Sequence, residues 1–256
     1  MSEIQIKTVK TEWDVYFDMA LTMLDEITRN NQAGKKTVMI VPVGPTAQYP
    51  LLAQMINTLR VSLKNVYFFN MDEYLITPTE AIAENDPLSF HKRMNEEFYS
   101  LVDPELVMPE DHRFFPEPGN EKEYDAKIEA LGGVDLCLGG LGITGHIAFN
   151  EPPEEEDPAF PTLGTRVLPI TRETRTINAN GYLRGDIAGM PKWCITVGMK
   201  QILASRRVYI ALNRDWQHGI FKRVLHDEIS SLRPASYLRT IDNVLFVMPE
   251  QIAKGL

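Results

Sequence analysis

Two spacings of apolar residues alternate along the chain. Trp13, Tyr16, Phe17, Ala20, Leu24 and Ile27 recur at helical intervals and predict a helix with one buried stripe. Thr11, with Asp14 three residues later, resembles a capping box, although Glu or Gln more often holds the last position. Short apolar runs at 37–43, 66–69, 134–138, 193–199, 208–212 and 244–248 read as strands. Stretches near 47–59, 86–101, 121–131, 171–180 and 216–228 read as helices. Strands alternating with helices from end to end predict one α/β domain over residues 1–256: a doubly wound, mainly parallel sheet with helices on both faces. No internal repeat or low-complexity linker interrupts it.

The candidate chemistry follows the predicted strands. The run Val134 to Leu138 breaks into Gly139-Gly140-Leu141-Gly142, as a buried parallel strand does when it delivers a loop at its carboxyl end. That loop carries His146 and Glu151, a pair able to move protons near neutral pH. The blander alternative is a glycine turn followed by a solvated acidic patch. Gly44-Pro45-Thr46 lies between a strand and a helix start and makes a candidate anion cradle, although any strand-to-helix connection needs a turn there. Asp72 and Glu73 follow the next strand; one of them could act as a general base, or both could cap the following turn. His91, on a helix surface, reads as structural. Asp72, His146 and the Gly44 turn are expected to meet at the carboxyl edge of one sheet.

Charge and cysteine use narrow the classes. A formal net charge of −9 argues against nucleic-acid binding, which needs a basic face, but a local pocket can still take a small anion. Cys137 and Cys194 both sit in apolar runs and read as core thiols of a reducing compartment. The charged amino terminus has no signal-peptide core and no apolar run reaches membrane-spanning length, so a cytoplasmic protein without a membrane partner is expected. The acidic run Glu154 to Asp157 reads as solvated loop, and neither metal nor other cofactor is assigned. Homo-oligomerisation is compatible with all of this.

Five segments carry a family resemblance: Asn70-Met71-Asp72-Glu73-Tyr74, Ser89-Phe90-His91, the stretch from Gly142 to Pro152 with its Gly-His-Ile-Ala-Phe-Asn-Glu-Pro ending, Thr196-Val197-Gly198, and Arg233-Pro234-Ala235-Ser236. Together they resemble the glucosamine-6-phosphate deaminase family, which is related to the 6-phosphogluconolactonases, over nearly the full length. The Phe-Asn-Glu-Pro ending, absent from the lactonase branch, points to the deaminases. The resemblance implies that Asp72 moves a proton from C2 to C1 of an open-chain amino sugar. It implies that His146, held by Glu151, assists ring opening, and that the Gly44–Thr46 and Gly140 loops face the substrate.

Departures accompany it. Thr144 stands where the family has an aspartate of the ring-opening group, Asn180 and Gln217 where it has a phosphate-binding arginine and lysine, and Pro45 where it has Ser or Gly. Replacing two charged hydrogen bonds by neutral ones predicts phosphate binding weaker by about one to two orders of magnitude. Two escapes are a basic residue entering from elsewhere (Arg172, Arg175, Lys192, Lys200 or Arg214) and a substrate with a neutral or carboxylate terminus. The expected function is therefore an isomerase or deaminase of an amino sugar or its phosphate, with an altered phosphate site. The alternatives are a catalytically silent sugar binder and a lactonase.

Overall fold

The computed structural model of the protein describes residues 4–256. Its strands are β1 (Gln5–Val9), β2 (Thr37–Val41), β3 (Val66–Asn70), β4 (Asp72–Thr77), β5 (Glu80–Ala81), β6 (Arg113–Phe114), β7 (Leu136–Gly140), β8 (Arg166–Pro169), β9 (Trp193–Thr196), β10 (Val208–Ala211) and β11 (Val244–Pro249). The α-helices are α1 (Glu12–Gln32), α2 (Gln48–Leu59), α3 (Phe90–Met94), α4 (Glu121–Ala130), α5 (Arg172–Tyr182), α6 (Met199–Leu203), α7 (Gln217–His226) and α8 (Glu250–Ala253).

A seven-stranded sheet in the order β1-β11-β10-β7-β2-β3-β6 forms the frame, with every neighbouring pair parallel. Alternation along β2 shows why its apolar run is unbroken. Met39 and Val41 pack with α1 and α2 on one face, while Val38 and Ile40 pack with α4, α6 and α7 on the other. A strand covered on both faces has no polar side to present. The doubly wound, parallel arrangement expected from the sequence is the one observed.

The structure corrects the layout in three places. The run at 193–199 supplies β9, which belongs to a second, four-stranded antiparallel sheet, β5-β4-β9-β8. The chain changes sheets across a single residue. Met71 donates its N–H to Val41 O at 2.9 Å and accepts from Val197 N–H at 2.7 Å, so no glycine or proline marks the passage from β3 to β4. The stripe of α1 keeps Tyr16, Ala20, Leu24 and Ile27 buried but loses its two outer aromatics. Val15, Met19 and Met23 extend the buried seam, leaving Trp13 67% and Phe17 48% exposed. Third, the stretch expected as a helix from 86 becomes helical only after Ser89 caps α3, and it ends in a π-helical turn, Asn95–Tyr99. At the start of α1 the capping box is complete, with Asp14 accepting from the Thr11 N–H. No helix among the described residues is long and apolar enough to cross a membrane.

Leu138, fully buried at the centre of the large sheet, and Trp13 give a test of this burial map. Leu138→Ala is expected to cost about 2–5 kcal/mol in urea unfolding, and Trp13→Ala no more than about 0.5 kcal/mol. Comparable losses would contradict the map.

Candidate active site

The order of the large sheet reverses beside β2. From β2 the chain moves outward to β3 and β6, then returns to β7 on the other side of β2. Loops leaving β2 and β7 diverge at such a point and open a crevice at the carboxyl ends of the strands. Here the crevice is a cleft of about 720 Å³. Gly44, Pro45, Thr46, Asp72, Gly140, His146, Asn180 and Gln217 all line it, while Thr144 and Glu151 stand behind His146. The two loops touch because Gly140 has no side chain: a Cβ there would lie 3.3 Å from Gly44 O and 3.4 Å from Pro45 Cδ.

His146 is held from several sides. Its ring occupies the space that a side chain on Gly142 would take, since a Cβ there would come within 1.9 Å of Nε2. Its Nδ1 lies 2.8 Å from Thr144 Oγ1 and 3.1 Å from Glu151 Oε2, and the Thr144 hydroxyl donates to that same carboxylate oxygen at 2.9 Å. With the hydroxyl proton turned to Glu151, both neighbours of Nδ1 present lone pairs. Nδ1 therefore donates toward them, and Nε2 is left without a partner among the described residues. Burial pushes the Glu151 carboxyl up, but the charge and hydrogen bond of His146, with the Thr174 and Thr144 hydroxyls, bring it below its ordinary value. Asn150 keeps the loop in place. Its Nδ2 donates to Ile147 O and Val197 O, and its Oδ1 accepts from Arg166 Nη1 at 2.7 Å.

The adjacent carboxylates divide because β4 alternates its sides. Glu73 turns to α3 and accepts from the Ser89 hydroxyl, the Phe90 and His91 amides and the Tyr74 amide, with His91 Nδ1 at 3.1 Å. His91 is thus structural, stacked on Phe115. Asp72 lines the cleft, and no hydrogen bond from the described residues reaches its carboxylate. Burial, then the charge of Glu73, raises its carboxyl well above the usual range.

The far end of the cleft differs from expectation. Asn180 is exposed there, but Gln217 is committed to structure. Its Oε1 accepts from the Asn213 and Arg214 amides at 2.7 and 2.8 Å, and its Nε2 donates to Leu141 O. Of the five basic residues considered from sequence, only Arg214 lines the cleft, and it is joined by Arg93 of α3. Arg93 gave no sequence signal, because a basic residue in a polar helix reads as solvated. Tyr16, a core candidate in the sequence, also faces the cleft and bonds Glu12 and Asn213. No cluster of His, Cys, Asp and Glu suited to a metal ion occurs among the described residues.

No family model matches the chain. Among curated proteins, the glucosamine-6-phosphate deaminase of Borreliella burgdorferi (strain ZS7) is 33% identical over 201 residues, covering 74% of this chain and 70% of that protein. The chain belongs to the glucosamine-6-phosphate deaminase family. A second member of that family, from Halothermothrix orenii, is 31% identical over 214 residues, covering 83% of this chain and 84% of its own. A solved monomeric glucosamine-6-phosphate deaminase superimposes with a TM-score of 0.85 at 25% identity, covering 98% of this chain and 99% of that one. The 6-phosphogluconolactonase of Trypanosoma cruzi, with a TM-score of 0.74 and 16% identity over 100% of this chain and 98% of its own, shares the fold. As a member of the deaminase family the protein is an enzyme, of the sugar isomerase and deaminase class.

Two substitutions test the geometry. A carboxyl raised on folding favours the folded state only while protonated, so its contribution is lost as pH rises through the folded value. Asp72→Asn should therefore give no stability gain near pH 3 and a gain that grows above about pH 4 in thermal melts. A pH-independent effect would mean a solvated Asp72. Gly142→Ala should displace the His146 ring and remove most activity while circular dichroism stays unchanged; full activity would mean that the ring has room to spare.

Proposed function

We propose that the protein isomerises and deaminates an amino sugar of the glucosamine 6-phosphate kind, the substrate that its relatives' names carry. The observation that supports this most is the pairing, in one cleft, of an unpartnered carboxyl at Asp72 with the free Nε2 of His146. The two groups suit different steps. In the ring form, Nε2 takes the anomeric hydroxyl proton and the resulting imidazolium passes it to the ring oxygen as the C1–O5 bond breaks, giving the open-chain aldehyde. Asp72 then takes the proton from C2, the electrons pass to the carbonyl, and the proton returns at C1. The amine-bearing C2 becomes an imine carbon, and addition of water there releases ammonia and leaves a ketose.

The environments match these tasks. A carboxyl raised by burial is a stronger base once ionised, as abstraction from carbon requires. Glu151 and Thr144 fix the tautomer of His146 and stabilise the imidazolium that forms during ring opening. Thr144 supplies a hydroxyl where a second carboxylate is expected from the family resemblance, so one negative charge, not two, supports the ring.

Solvent deuterium exchange at C2 tests the reading. Glucosamine 6-phosphate should exchange with the wild-type protein and not with Asp72→Asn, and Glu151→Gln should lower turnover by about 10²–10⁴. Tight sugar binding with no exchange would make the protein a silent binder. Lactone turnover that survives Asp72→Asn but needs His146 would make it a lactonase.

A further inference from the structure

We propose that Arg93 and Arg214 form the anion clamp of the cleft and hold a phosphate monoester at the end of the substrate, in place of Asn180 and Gln217. This deepens the proposed reaction and rests on it for the identity of the sugar.

Arg93 and Arg214 are the only lysine or arginine side chains among the described residues lining the cleft, and Asp72 is the only lining carboxylate. The cleft thus carries a local positive excess on a chain of formal net charge −9. Neither guanidinium donates a hydrogen bond to another described residue, and each has one loose glutamate contact. Arg93 has its Cζ 4.4 Å from the centre of the Tyr182 ring and only a long contact, 4.0 Å from Nε to Glu97, so both its terminal nitrogens stay available. Arg214 faces Glu12 at 3.6 Å, but Glu12 already accepts from the Tyr16 hydroxyl at 2.6 Å.

Arg93 sits against the anion loop, and Arg214 lines the same cleft. Tyr182, beneath Arg93, has its hydroxyl 3.5 Å from where a Gly44 Cβ would be, which brings the Arg93 platform against the Gly44–Thr46 turn. The backbone of Arg214 is pinned by the Gln217 carboxamide. Burial raises the Tyr182 hydroxyl; the charge of Arg93 and, least, that of Arg214 pull against that rise, while those of Glu97 and Asp72 add to it. A stacked, planar guanidinium keeps its fork oriented and matches phosphate oxygens bidentately. Two such forks suit a group carrying nearly two negative charges.

Calorimetry with glucosamine 6-phosphate and glucosamine, run on the Asp72→Asn protein to prevent turnover, tests the clamp. The phosphorylated sugar should bind at least a hundredfold more tightly. Arg93→Gln and Arg214→Gln should each weaken it about tenfold while changing glucosamine binding less than twofold. Arg172→Gln, outside the cleft, should change neither, and thermal melts show whether each variant is folded. Loss of phosphate preference in both arginine variants upholds the clamp, even where wild-type protein shows no C2 exchange and the reaction assignment fails. Normal C2 exchange with phosphate preference unchanged in Arg93→Gln and Arg214→Gln overturns the clamp and leaves the reaction standing. Equal binding of the two sugars by the parent protein also overturns it.

Discussion

The buried carboxylate of Glu73 holds the cleft together. A charge removed from water is tolerable only when its oxygens are filled with donors, and here the donors come from the Ser89–His91 segment and from Tyr74. That bond set ties the start of a five-residue helix to the first residues of the second sheet. An isolated helix so short has no stability of its own. Because Glu73 anchors α3, Arg93 is delivered to the cleft at a fixed place, and because Glu73 turns one way, Asp72 must turn the other. One residue thus orients a candidate base and a candidate anion partner that are far apart in sequence.

The second constraint is steric. Gly140 lets two loops from opposite sides of the switch point touch, and Gly142 leaves the hollow that His146 fills. Neither position needs glycine for an unusual backbone angle; each needs the missing Cβ. Against these contacts the hydrogen bonds of Thr144, Glu151 and Asn150 set orientation, so the imidazole is fixed by shape on one side and by polarity on the other.

Much of this was legible in the sequence, for identifiable reasons. Strands buried on both faces announce themselves as apolar runs, and loops at their carboxyl ends carry the glycines and ionisable groups, so the large sheet and the Gly44, Asp72 and His146 loops could be located. β1 could not. It is an edge strand paired only with β11, mostly exposed, and without an apolar pattern. The second sheet was hidden because Met71 alone separates β3 from β4, so two strands read as one run with a polar end. Trp13 and Phe17 fit the helical stripe by spacing, but the buried seam spreads from Tyr16, Ala20, Leu24 and Ile27 to the other side, over Val15, Met19 and Met23. Gln217 and Arg93 depend on tertiary contacts: a carboxamide bracing a loop and a guanidinium lying on a tyrosine leave no trace in local pattern.

The passage through Met71 has a consequence for how such a cleft can change. Asp72 stands one peptide beyond a residue bonded to both sheets, and the His146 loop is stitched by Asn150 to the backbone at Val197. The end that carries Asp72 and His146 is therefore an extension of the rigid frame and shifts only if strands shift. The other end is built from long side chains on a short helix and an exposed turn, where exchanging one residue for another disturbs little else. A lineage could rewrite that far end, many times over, without retuning the surroundings of Asp72 and His146.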